Sequence, residues 1–318
     1  MGRRTRRLVS LLPAAVLLAA LPLAAEVSDE EALGWKLFFD PILSRDGTFS
    51  CGTCHEPEHG YEGGEALSEG VHGDVLGRNT PTVVNLADAQ FFFWDGRAGS
   101  LEEQAKGPIE NPLEMDLTLD EAVERVSEQK HYRKAFKKIG KKINEDTLAG
   151  AIAAFERKLV TGPTIFDRWI NGDRTALNEQ QERGRMIFFT RGDCALCHNG
   201  LNLADDDFHN IGTAADKEDV GRYAIEEEEY FLGAFKTPSL RNWKSREPFM
   251  HDGRFATVRD VLEVYSKPTP NPVGESEVEP LELSDSEIDD LIAFLETLNG
   301  DWPDLAPFEK AWKEMGVE

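Results

Sequence analysis

Cys51-Gly52-Thr53-Cys54-His55 returns, with the same spacing and a different filling, as Cys194-Ala195-Leu196-Cys197-His198. Cys-x-x-Cys-His is the attachment signature of c-type haem. Two thiols add to the vinyl groups, and the next histidine is placed to ligate the iron. The two copies consume all four cysteines, which leaves none for a disulfide. A zinc site or a thioredoxin-like motif would explain the cysteines, but neither needs a histidine after each pair, and a redox motif would not recur. The spacing therefore predicts two covalent haem c groups, one on Cys51, Cys54 and His55 and one on Cys194, Cys197 and His198.

The repetition extends beyond the pentapeptides. Gly34-x-x-Leu37-Phe38-Phe39 precedes the first motif, and Gly184-x-x-Ile187-Phe188-Phe189 precedes the second. Thr80-Pro81-Thr82 recurs as Thr237-Pro238-Ser239, each followed by an asparagine, Asn85 and Asn242. Trp94-Asp95-Gly96-Arg97 recurs as His251-Asp252-Gly253-Arg254, and the interval from threonine to aspartate is 15 residues in both. Counting on from these anchors sets Tyr265 opposite Pro108. Proline has no donor atom for iron. If that position faces the distal side, one haem can take a protein sixth ligand there and the other cannot.

Apolar spacing predicts helices over 30–39, 118–139, 145–159, 177–189 and 284–298, with a short bridge at 166–170. Thr118 and Asn144 are the expected caps, and Ser284-x-x-Glu287 reads as a capping box. Glycine-rich residues 60–77 read as a loop, and no stretch alternates as a strand. The fold class is mainly α: two cytochrome c-like domains, each around one covalently bound haem c. The expected boundaries are 1–25 for a leader, 26–163 for the first domain and 164–318 for the second.

Arg3, Arg4, Arg6 and Arg7 followed by an apolar run from Leu8 to Leu23 read as a secretory signal peptide, with an uncleaved anchor as the alternative. Haem c is attached after export, so the expected location is the periplasm. Loss of the four arginines takes the formal charge from −24 to −28. Such acidity argues against nucleic acid or anionic membrane and favours a basic protein partner. The runs Asp205–Asp207 and Glu226–Glu229 read first as solvated loops.

These residues resemble the bacterial dihaem cytochrome c peroxidase and MauG family. The resemblance runs from about Glu30 to Gly300 and is carried by Arg78-Asn79-Thr80-Pro81, Phe93-Trp94-Asp95-Gly96-Arg97, Glu103-Gln104-Ala105-x-Gly107-Pro108 with Asn111-Pro112-x-Glu114-Met115, and Met250-His251-Asp252-Gly253-Arg254. It implies that the N-terminal haem is peroxidatic, with Gln104 and Glu114 on its distal side and Trp94 between the haems. It also implies a calcium ion held by Asn79 and by carbonyls near Thr237 and Pro238. One carboxylate over the iron could take a proton from one peroxide oxygen and deliver it to the other, with an amide orienting the substrate. Alone, Glu114 would read as a solvated loop residue.

The sixth ligand of the second haem divides the family. Peroxidases of one branch are similar but carry methionine there, whereas this chain offers Tyr265, as MauG-like members do, with Met250 as the alternative donor. A phenolate favours ferric and higher states, so the second haem should have a low potential and share the oxidising equivalents. His72 falls where some members cap the resting peroxidatic iron; a surface histidine is the other reading. His59 is expected in a loop, and His131 and His209 are expected to be structural. The resemblance thus implies a periplasmic peroxidase that uses hydrogen peroxide to oxidise an external donor, either a cytochrome c or a cupredoxin. One alternative is a MauG-type maturation enzyme oxidising tryptophan or tyrosine of a secreted protein; another is a passive dihaem carrier, which would need neither Glu114 nor Gln104. A homodimer is a further expectation.

Overall fold

A computed structural model describes residues 26–214, 219–267 and 273–318; the expected leader lies outside them. The first half contains α1 (Asp29–Phe38), α2 (Cys51–Cys54), α3 (Leu101–Glu110), α4 (Leu119–Glu128), α5 (Lys130–Lys138) and α6 (Glu145–Lys158). The second contains α7 (Ile165–Ile170), α8 (Glu179–Phe189), α9 (Tyr223–Glu226), α10 (Val258–Ser266) and α11 (Asp285–Leu295), followed by α12 (Ala306–Glu314). The described strands, β1 (Phe208–His209) and β2 (Phe235–Lys236), form one antiparallel pair of two residues each. The mainly helical expectation holds.

Each half is assembled where the helix leading into its attachment motif crosses a later helix. At Gly34 on α1 a Cβ would lie 1.8 Å from the carbonyl oxygen of Ala151 on α6, and at Gly184 on α8 it would lie 1.8 Å from that of Asp290 on α11. Only a residue without a side chain lets the backbones meet this closely. Around the first crossing Leu33, Leu37, Phe38, Ile152 and Phe155 are buried together; around the second, Phe188, Leu291, Phe294 and Leu298 are. Each such side chain contributes about 1.5–3 kcal/mol by leaving water.

The duplication is visible in hydrogen bonds as well. The Asn79 amide donates to His251 O at 2.7 Å, and its counterpart Lys236 donates to Trp94 O, the counterpart of His251 O, at 2.8 Å. These two bonds join the halves about a local two-fold relation. Asn85 and Asn242 both adopt left-handed backbone (φ +63° and +50°). Asn85 Oδ1 accepts from the Thr161 amide at 3.0 Å, and Asn242 Oδ1 from the Gly300 amide at 2.8 Å. Two ion pairs also cross between the halves: Arg246 with buried Glu62 at 2.6 Å, and Arg78 with Asp219 at 2.7 Å.

Thr118, Asn144 and Ser284 cap their helices as expected, each in a capping box. The helix expected over 118–139 is instead two. Gln129 is extended (φ −79°, ψ 122°), and Arg133 donates to the freed carbonyls of Ser127 and Glu128 at 2.6 and 2.7 Å. That break turns Tyr132 and Phe136 into the first core. By packing, α12 belongs to the first half, where Phe308 lies edge-on to Phe155 at 5.0 Å and Trp312 and Met315 are buried in the first core. No helix of the described residues is long and apolar enough to cross a membrane.

Gly34→Ala and Gly184→Ala should each destabilise the protein by about 1–3 kcal/mol through forced separation of the crossing helices. Gly150→Ala on α6, where a Cβ meets nothing within 4 Å, should instead stabilise by about 0.5–1 kcal/mol. Urea unfolding midpoints check both signs.

Candidate active site

The two attachment motifs fold alike. In each, the histidine amide closes a turn onto the first cysteine carbonyl, His55 to Cys51 at 2.9 Å and His198 to Cys194 at 2.8 Å. His55 Nδ1 lies 3.1 Å from Tyr61 O, and His198 Nδ1 lies 3.0 Å from Leu203 O. A carbonyl can only accept, so Nδ1 carries the proton and Nε2 keeps its lone pair. Burial lowers both imidazoles, His55 to about 4, which holds them neutral. Neutral, oriented imidazoles are what an iron ligand requires.

Beside the second motif lies a cavity of about 710 Å³. Its wall includes Cys194, Cys197 and His198, together with Tyr265, Met250 and Leu295. Tyr265 sits in the last turn of α10, and its phenol is pushed up by burial and then by the neighbouring Cys194 and Cys197. Covalent haem fits this enclosure: attachment thiols, one oriented imidazole and a further donor share a mostly apolar space. Met250, the alternative donor, shares it too, in left-handed backbone at φ +77°. No disulfide links any of the four cysteines. Among the described residues only Cys197, Asp205 and His209 cluster at metal-ligand spacing, so the two cysteine pairs do not combine into a zinc site.

At the first motif the distal-side candidates come from α3 and the turn after it. Pro108 interrupts α3 without ending it, and its carbonyl accepts from the Met115 amide at 3.1 Å. This folds the 111–115 turn back along the helix. The glycine-rich loop covers it: Val71 N donates to Glu114 O at 2.8 Å, and at Gly70 a Cβ would lie 1.8 Å from Leu113 O. Glu114 is raised by burial, against lowering by a 2.6 Å hydrogen bond from Asn111 Nδ2 and by Arg97. Its charge reaches the motif, because Cys54 is pushed up to about 11 by burial and next by Glu114. Gln104 lies one turn before Pro108 on α3, half-buried.

Trp94 lies at the junction of the halves. Its Nε1–H donates to Asn79 O at 2.8 Å, and its ring centroid is 6.4 Å from that of His251. His251 stacks on Phe235 at 3.7 Å. Trp94 also lines the second cavity, although it belongs to the first half. Asn79 donates to the Glu65 and Ala66 carbonyls, both at 3.2 Å, and its Oδ1 points to no described partner. Thr237 O receives Lys236 Nζ at 3.4 Å, so a cation on that carbonyl needs the ammonium to turn wholly to Asp206, which it already meets at 3.0 Å.

His72 Nε2 pairs with Asp116 at 3.0 Å on the surface. His209 is more engaged than a structural reading suggests. It bridges Asp205 at 3.1 Å and Glu277 at 2.9 Å on the cavity wall. Phe93, one residue before Trp94, has left-handed backbone (φ +65°) that repeats that of Met250, one residue before His251.

The sequence profile for di-haem cytochrome c peroxidase matches residues 28–175, and that for cytochrome c, a domain that carries covalent haem c, matches 181–299. The chain is 41% identical over 278 residues to the methylamine utilization protein MauG of Methylorubrum extorquens, covering 86% of this chain and 79% of that one. It is 36% identical over 285 residues to the cytochrome c551 peroxidase of Nitrosomonas europaea, covering 88% and 82%. A crystal structure of a MauG-like protein associated with microbial copper homeostasis superposes with TM-score 0.77 at 29% identity, over 87% of this chain and 91% of that one. Two cytochrome c-type halves, two haem attachment motifs and this similarity along most of the chain give one conclusion: it belongs to the di-haem cytochrome c peroxidase and MauG family, oxidoreductases acting on peroxide.

Proposed function

We propose that this chain is a periplasmic peroxidase of the MauG-like branch, taking hydrogen peroxide at the first haem and electrons from an external protein. The observation that carries the reading is the divergence of two equivalent helices. α3 and α10 both follow an Asp-Gly-Arg anchor and a hydroxyl N-cap, Ser100 and Thr257, yet one presents Pro108 where the other presents Tyr265. Bound haem supplies iron and reversible one-electron chemistry. His55 and His198 offer Nε2 to the two irons, and Tyr265 offers its phenol oxygen to the second alone.

Glu114 acts on protons. Its carboxylate, oriented by Asn111, takes a proton from one peroxide oxygen and returns it to the departing one, while the Gln104 amide orients the substrate. Trp94, between the halves, relays electrons from the second site. Asn79, Thr237 and Pro238 are assigned a calcium ion that braces this junction. His72, held by Asp116, is assigned no ligand role.

The donor is read as a small basic electron-transfer protein. Leu196 within the second motif and Leu201 just after it are 72% and 80% exposed, and the chain as a whole is strongly acidic. An exposed apolar contact on an acidic protein suits a cationic partner. The basic, apolar N-terminal stretch supports export to the periplasm. A second reading, oxidation of tryptophan or tyrosine in a partner protein, is favoured by Tyr265 and by the 41% identity to a MauG.

Glu114→Gln should slow the peroxide reaction by about 10²–10⁴-fold with the Soret spectrum unchanged; an unaltered stopped-flow rate would remove Glu114 from the chemistry. The working form is the carboxylate, so the rate should fall as pH drops through its pKa. Asn111→Leu removes the hydrogen bond that lowers that pKa, and the acid limb should move to higher pH. Tyr265→Met should raise the potential of the second haem alone, and spectroelectrochemistry that finds no change would exclude Tyr265 as its ligand.

A further inference from the structure

Glu156, on α6, is a carboxyl that none of this chemistry uses. It is 2% exposed, and its Oε2 is buried without a hydrogen-bond partner. One turn earlier Ile152 and Ala153 are enclosed in apolar clusters. Few charged or titratable groups face it. Arg157, on its own helix, is drawn outward to Glu102 of α3 at 2.8 Å. Cys51 of α2 is the remaining neighbour, its thiol pushed up by burial and next by Glu156. Burial raises Glu156 to about 8; Arg157 opposes that rise and Glu102 adds to it. A buried carboxylate without a partner is strongly disfavoured, so at neutral pH the side chain keeps its proton.

The internal duplication says what this position is for. The two glycine crossings align Ala151 with Asp290 and Phe155 with Phe294, which sets Glu156 on Leu295. Leu295 lines the second cavity, as do Cys194 and Tyr265. The same wall position is thus hydrocarbon at one attachment site and an ionisable carboxyl at the other. Bound haem can only bury Glu156 further.

We infer that Glu156 is a redox-linked proton site of the first haem, a carboxyl whose O–H bond breaks when that haem loses an electron and re-forms when the electron returns. The coupling is Coulombic. Oxidation adds one positive charge to an enclosed apolar site, which favours the carboxylate; the proton leaves to solvent, and reduction draws it back. No other bond changes. The electron goes to, and comes from, whatever partner the haem exchanges with. The inference rests on family membership for the haem and not on the proton chemistry assigned to Glu114.

The test is potentiometric titration of the purified dihaem protein at pH values spanning the region around 8, with each haem followed by its own ferric EPR signal. A carboxylate stabilises the ferric state, so the first-haem potential should fall as pH rises through this region. Glu156→Gln keeps the shape and removes the titration, and Glu156→Leu copies the other half. Both should abolish that fall while leaving the second haem's pH dependence as in the parent. A Gln variant with the parent's pH dependence at the first haem overturns the inference, as does a parent protein with none. Peroxide is absent from the experiment, so its outcome is independent of the Glu114→Gln rate.

Discussion

Two helix backbones meet without a side chain between them, once in each half, and the rest of the molecule is fixed by those meetings. Gly34 against Ala151 and Gly184 against Asp290 set the angle at which each attachment motif enters its core. From there the motif histidine is aimed by a carbonyl, Tyr61 O or Leu203 O, five or six residues ahead. The rigidity is local and cheap: one hydrogen bond selects the tautomer, and burial keeps the ring neutral. Because both halves share this frame, chemical differences between them reside in side chains at matched positions rather than in the backbone.

Much of that was legible in the sequence for physical reasons. The pentapeptides carry chemistry that few alternatives can mimic, and capping boxes such as Ser284 with Glu287 are local in sequence. The equal spacing from Thr80 to Asp95 and from Thr237 to Asp252 revealed the duplication before any coordinate did. What escaped notice depends on distant partners. The helix break at Gln129 is stabilised by Arg133 turning back onto free carbonyls, a tertiary choice that periodicity cannot register. The return of α12 to the first core needs Phe155 as its target, more than 150 positions earlier in the chain.

The candidate site divides along the same line. His55, His198 and their cysteines follow from spacing alone. Glu114 would be a solvated loop carboxylate on sequence grounds; its burial comes from the glycine-rich loop folding over the turn, with Gly70 against Leu113. Trp94 gains meaning from the paired hydrogen bonds that join Asn79 to His251 and Lys236 to Trp94. Those bonds make one half's aromatic residue part of the other half's cavity wall.

Divergence within a shared frame is also the best argument for catalysis over storage. A carrier of two electrons would be served by two equal pockets. Here three matched positions have separated in kind: Pro108 from Tyr265, Glu156 from Leu295, and Trp94 from His251. On the proposed reading, the first pair governs whether an iron can accept a ligand from outside. The second governs whether the pocket wall can respond to charge with a proton. The third places an oxidisable indole at the junction, packed at an angle to an imidazole that is itself stacked on Phe235. Each change loads one half with reactivity and leaves the other inert at that position. On the proposed reading they make the first pocket the place where peroxide and protons react, and the second a centre that shares the oxidising equivalents.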